Sequence, residues 1–130
     1  MQNAYGFGKT VELGFDAAVD RVSAELAKEG FGILTEIDVK ATMKKKLDID
    51  FRPYTILGAC NPEFAHKALQ SEDMIGTMLP CNVVVRDAGS GNTEVAAIDP
   101  VASMQAIDNP ELKRAAVNVR GKLQKVVDGL

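Results

Sequence analysis

Two apolar runs near the C-terminus constrain this chain most. They are Leu79-Pro80-Cys81-Asn82-Val83-Val84-Val85-Arg86-Asp87 and Thr93-Glu94-Val95-Ala96-Ala97-Ile98-Asp99, on either side of the turn Ala88-Gly89-Ser90-Gly91-Asn92. β-Branched residues flanking a Gly-rich turn read as an antiparallel hairpin. A hairpin commits the chain to a sheet on which every other element must pack. The cores of the two strands, VVV and VAAI, are apolar on both faces, yet a single domain of 130 residues has few layers with which to cover them. The pattern therefore predicts a symmetric homodimer that uses the sheet.

The rest of the chain alternates between the two periods. Tyr5 to Leu13 reads as a first strand, Gly-rich at its start. Phe15, Val19, Val22 and Leu26 recur at helical spacing, so a helix is predicted over residues 15–30, with Asp16 as its cap and Gly30 as its stop. Residues 31–39 read as a half-buried strand whose buried side carries Phe31, Ile33, Ile37 and Val39. A short helix over residues 41–49 follows, with Lys44-Lys45-Lys46 on its wet side and Asp48 and Asp50 in the turn beyond. Pro53 opens a strand that ends at Cys60, where Asn61 caps and Pro62 starts a helix running to about Gln70. Asp99-Pro100 ends the hairpin, and Asn109-Pro110 opens the last helix. That helix has an apolar stripe of Leu112, Ala115, Val119, Leu123 and Val126. Gly121 weakens it by about 1 kcal/mol relative to alanine. The order is β-α-β-α-β-α-β-β-α. This predicts one α+β domain over residues 1–130, a mostly antiparallel sheet with helices packed on one face.

Composition narrows the function classes. A net charge of −3, with one basic cluster that lacks interleaved aromatic residues, argues against nucleic acid as a partner. No apolar run reaches the length of a membrane span, and the N-terminal residues carry no charged-then-apolar signal pattern. Two cysteines are too few for a disulfide framework. Reduced thiols and a cytoplasmic location are expected.

The residues that could carry chemistry gather in Gly58-Ala59-Cys60-Asn61-Pro62-Glu63-Phe64-Ala65-His66 and in Pro80-Cys81-Asn82. Cys60 stands just ahead of a helix start, where the positive end of the dipole favours a thiolate. It reads equally as a small apolar residue closing a strand. His66, the only histidine, falls beside the face set by Phe64, Ala65, Ala68 and Leu69. It is either exposed or at the rim of a cleft, where it could act as a general base. Cys81 shares a face with Val83 and Val85, so core packing is its first reading. Cys-Asn occurs twice, each time at a strand end, so Cys60, Asn61, Cys81, Asn82 and His66 could line one pocket if those ends meet. No metal site is expected, because there is no second histidine, C-x-x-C or H-E-x-x-H. No cofactor is indicated.

With FDAAVDRVSAELAKEGFGILTEIDVK through FRPYTILGACNP, LPCNVVVRD and EVAAIDP, the chain resembles the bacterial and archaeal family known as domain of unknown function 302. The resemblance implies a compact α+β fold and a homodimer, with no established activity. It marks Cys60, Asn61, Pro62, Pro80, Cys81, Asn82, Asp99 and Pro100 as positions of interest. The leading expectation is a dimeric domain that binds a small molecule in a cleft near Cys60, with Asn61, Cys81, Asn82 and Asp99 as further ligand contacts. The alternatives are a thiol enzyme or redox sensor built on Cys60, with His66 as a catalytic candidate, and a structural or interaction domain with inert cysteines.

Overall fold

The computed structural model describes residues 2–130. Five strands, β1 (Gly6–Val11), β2 (Gly32–Asp38), β3 (Tyr54–Cys60), β4 (Cys81–Gly89) and β5 (Asn92–Ile98), form one sheet in the order β1-β5-β4-β3-β2. All four pairings are antiparallel. The helices are α1 (Phe15–Lys28), α2 (Val39–Leu47), α3 (Pro62–Ser71), the single turn α4 (Pro100–Ser103) and α5 (Pro110–Asp128), with a 3-10 turn at Ile75–Met78. The α+β order expected from the sequence is the order found.

Alternation sorts the sheet into two faces. Phe7, Ala97, Val83 and Leu57 form one row across four strands, and Val95, Val85 and Thr55 form the next. These side chains are buried with Val22 and Leu26 of α1 and Val119, Leu123 and Val126 of α5. That face is the core. Residues of the opposite parity, Ala96, Val84, Ile56 and Ile37, form a row on the other face and are only partly covered.

Local chemistry sets the element ends. Asn61 Oδ1 accepts from the Phe64 amide, Asn109 Oδ1 from the Leu112 amide and Asp99 Oδ1 from the Val101 amide, each ahead of a proline at the first helical position. Gly30, at φ 83°, ends α1: its amide reaches the Ala27 carbonyl while the Phe31 amide reaches Leu26. Phe31 and Leu26 are both buried beneath that turn. Ser90 and Gly91 both take positive φ, the conformation that a tight hairpin turn requires.

Three expectations need correction. The cap of α1 is Gly14, and Asp16 lies within the first turn, where its charge still complements the dipole. Leu69 is 45% exposed rather than part of the buried face of α3. β2 is not half-buried: every one of its residues is exposed. Pairing slips between Ile33 and Thr35, so Ile33 stands opposite Ala59 and Ile37 opposite Ile56. The two isoleucines thus point to different faces, and β2, at the sheet edge, has a neighbour on one side only. α2 buries no residue either.

The last helix offers a direct check. Leu123 is fully enclosed, so Leu123→Ala is expected to cost about 2–5 kcal/mol in urea unfolding. Gly121 is exposed in the same helix, and an added Cβ would meet nothing within 4 Å. Gly121→Ala is therefore expected to raise stability by about 0.5–1 kcal/mol. A gain from the first or a loss from the second would contradict the packing of α5.

Candidate functional site

The ends of β3 and β4 do meet, because Ala59 pairs with Cys81. Adjacent strands thus place Cys60 and Cys81 close in the backbone. Alternation then separates their side chains. Cys81 has the core parity of Val83 and is 5% exposed, whereas Cys60 has the parity of Gly58 and Ile56 and is partly exposed. Gly58 leaves no room beside it. A Cβ there would run into the Thr35 hydroxyl and stand 2.8 Å from Pro80 Cγ, so the open face is capped at this row. Burial pushes the Cys81 thiol up to about 11, and a negative charge on Cys60 would push it the same way.

Asn61 turns the chain toward the helices. It is 8% exposed and borders two adjoining hollows between α3 and α5. One, of about 220 Å³, lies between Phe64 and Lys67 of α3 and Ala115, Asn118 and Val119 of α5. The other, of about 360 Å³, reaches Gly30 and Pro62. Glu63 and Lys122 line both. The sequence reading did not single out Glu63, Asn118 or Lys122. Their only signal was the polar side of two amphipathic helices, whose mutual approach the sequence does not specify.

The other candidates stand elsewhere. Asn82 is exposed on the open sheet face, beside a shallow apolar hollow of about 140 Å³ with Tyr5, Val84, Ala96 and Ile98. Asp99 is committed to structure: Oδ1 caps α4, and Oδ2 accepts from Arg120 Nε at 2.9 Å. The Arg120 guanidinium also lies over the Phe7 ring, 5.9 Å from its centroid. His66 is exposed on α3. Among the described residues, no cluster of three or more His, Cys, Asp or Glu side chains is placed to hold a metal ion, and no helix is long and apolar enough to cross a membrane.

Residues 7–130 match the family model described as domain of unknown function DUF302. The chain is also similar to the crystal structure of an uncharacterised conserved DUF302 protein from Bacillus stearothermophilus. The two are 29% identical with a TM-score of 0.87, over 95% of this chain and 96% of that one. No curated protein matches.

The two thiols should behave differently. With the Cys81 thiol titrating near 11, only about one molecule in a thousand holds it as thiolate at pH 8, so iodoacetamide should label Cys60 first in the folded protein. The same burial links Cys81 to stability. Its proton is held more tightly folded than unfolded, so its stabilisation is complete below pH 9.0 and is lost as pH rises toward 11. The loss amounts to about 2–3 kcal/mol. Unfolding measured across that window should fall more steeply for the wild type than for Cys81→Ala. Equal slopes, or faster labelling of Cys81, would contradict this placement.

Proposed function

Since this chain belongs to the DUF302 family, whose description carries no activity, we propose on its geometry that it is a homodimeric domain that binds a small molecule in the hollow beside Asn61. The observation that carries the reading is the enclosure of Asn61. It follows Cys60 in the chain, closes the start of α3 and borders both hollows between α3 and α5. Their size and their mix of amide, charged and apolar lining suit a small polar ligand. Asn61 serves as the ligand contact, and Cys60 lies behind it at the end of β3. Asn82 belongs to the dimer face, while Cys81 and Asp99 hold the framework.

The dimer has separate support. The row Ile37–Ile56–Val84–Ala96 crosses the face away from α1 and α5, with Tyr54 and Phe51 at one margin and Ile98 and Tyr5 at the other. Arg86 pairs with Glu94 beside it on the same face. An apolar row of this width favours burial, and a second copy meeting it through a two-fold axis supplies the missing layer. Such a dimer leaves the hollow between α3 and α5 on the opposite side open to solvent. Two free thiols support a cytoplasmic location.

Thiol chemistry at Cys60 is the second reading. Its partial exposure next to the first turn of α3 favours it over Cys81 as a reactive group. His66, exposed one turn along α3, is the candidate base for such chemistry.

Sedimentation tests the assembly. At concentrations of about 1 µM, the wild type should sediment as two chains of 13.9 kDa. Val84→Asp should sediment as one chain with its helix and strand content intact. A wild type that stays monomeric overturns the dimer. For the hollow, small-molecule mixtures should shift the backbone amides of Gly30, Glu63 and Phe64 in a nitrogen–proton spectrum. Shifts only at other residues would remove the hollow as the site.

A further inference from the structure

The hollow between α3 and α5 is lined by charges of both signs, Glu63 and Lys67 of α3 and Lys122 of α5. The inference here rests on the reading of that hollow as a binding site and names what it takes. We propose that it binds a free α-amino acid with an apolar side chain, the ligand carboxylate meeting Lys122 and the Asn61 amide and its ammonium meeting Glu63.

Asn61 is more than nine-tenths buried, and its two amide atoms fare differently. Oδ1 accepts from the Phe64 amide at 3.3 Å. Among the described residues Nδ2 donates to no acceptor, and since none of their buried side-chain nitrogens or oxygens lacks a partner, Nδ2 is open to solvent; Asn61 borders both hollows. A donor open to solvent beside a hollow can exchange its water for an acceptor on a bound ligand. It lies at the start of the ten-residue helix α3, whose first turn also favours negative charge.

The charged side chains split by sign. Lys122 is half-buried on α5 and forms no ion pair among the described residues, and neither does Lys67. Glu63 lies four residues before Lys67, yet they do not pair. A simple anion would find Lys122 and the Asn61 amide but would be repelled by Glu63. A simple cation would find Glu63 but would meet the two lysines and the positive end of α3. A ligand bearing both charges satisfies both signs at once. Phe64, Ala115 and Val119 supply an apolar floor on which its side chain can rest.

Three probes with one side chain separate these terms: L-leucine, 4-methylpentanoate without the ammonium, and 3-methylbutylamine without the carboxylate. Each is titrated into the full chain while the amides of Gly30 and Glu63 and the side-chain amide of Asn61 are followed by nuclear magnetic resonance. L-Leucine should give saturable shifts there, with each analogue at least tenfold weaker. Asn61→Asp keeps the capping oxygen and removes the donor, so the fold should persist while L-leucine binding weakens about tenfold or more. Lys122→Gln should weaken L-leucine similarly. Glu63→Gln should bring it down to the level of 4-methylpentanoate. If the analogues bind as well as L-leucine, the amino-acid inference fails and the hollow remains a binding site of another specificity. Undiminished binding to a folded Asn61→Asp variant also overturns the inference. If none of the three probes shifts these amides, the inference fails, and a null result with the broader mixtures then removes the site as well.

Discussion

The pairing of five antiparallel strands, each alternating its side chains between two faces, is the constraint on which the rest of this structure depends. It places Leu57, Val83, Val85, Val95 and Ala97 on one surface, where α1 and α5 enclose them. It leaves Ile56, Val84 and Ala96 on the other, without a helical layer of the same kind. One strand end therefore separates two chemistries. Cys60 faces the open side, Cys81 enters the core, and Asn61 turns into the cleft between helices. The candidate residues are near in the chain and in the sheet, but they do not converge on one point.

The helical layer is fastened to the sheet where α5 would otherwise leave its last carbonyls unpaired. Lys9 on β1 reaches the Asp128 and Leu130 carbonyls at 3.4 and 3.3 Å. Arg21 on α1 donates to the Gly129 carbonyl at 2.7 Å. Glu25 holds that arginine and Lys28 together, and the Lys28 contact keeps its carboxyl below the usual carboxylate range against the opposing effect of burial. Gly129 is small because Glu25 is there: a Cβ would lie 2.6 Å from Glu25 Oε2. With both ends of α5 fixed, by Asn109 at the start and by these cations at the finish, Lys122 and Asn118 take defined positions opposite α3. The geometry of the hollow thus follows from contacts at either end of one helix.

The parts of the site visible in the sequence were those made by neighbours in the chain. Asn61 with Pro62 announced a helix start, and the side chain does cap α3. The same logic located Asn109, whereas Asp99-Pro100 read only as the end of the hairpin and Asp99 caps a helical turn that was not expected. Glu63 and Lys122 are 59 positions apart and carry no shared motif, so their meeting across the cleft had no local signature. Cys81 was legible as a core residue because Val83 and Val85 share its parity. The exposure of β2 was not legible. Phe31, Ile33 and Ile37 have the spacing of a half-buried strand, but a pairing slip sends Ile33 and Ile37 to opposite faces, and the edge position leaves both uncovered.

The sequence by itself determined the order of the main elements, the caps Asn61 and Asn109 and the hairpin of β4 and β5. Those features rest on residues within a few positions of one another, where backbone sterics and short hydrogen bonds act without help. Tertiary structure alone decided which strand lies at the edge, which face the helices cover and which polar residues share a hollow. The pairing of β1 with β5 joins segments more than 80 residues apart, and only that long-range closure fixes where β2 and β3 fall. Periodicity tells each strand that it has two faces; the neighbours that the chain finds on folding decide which of them is inside.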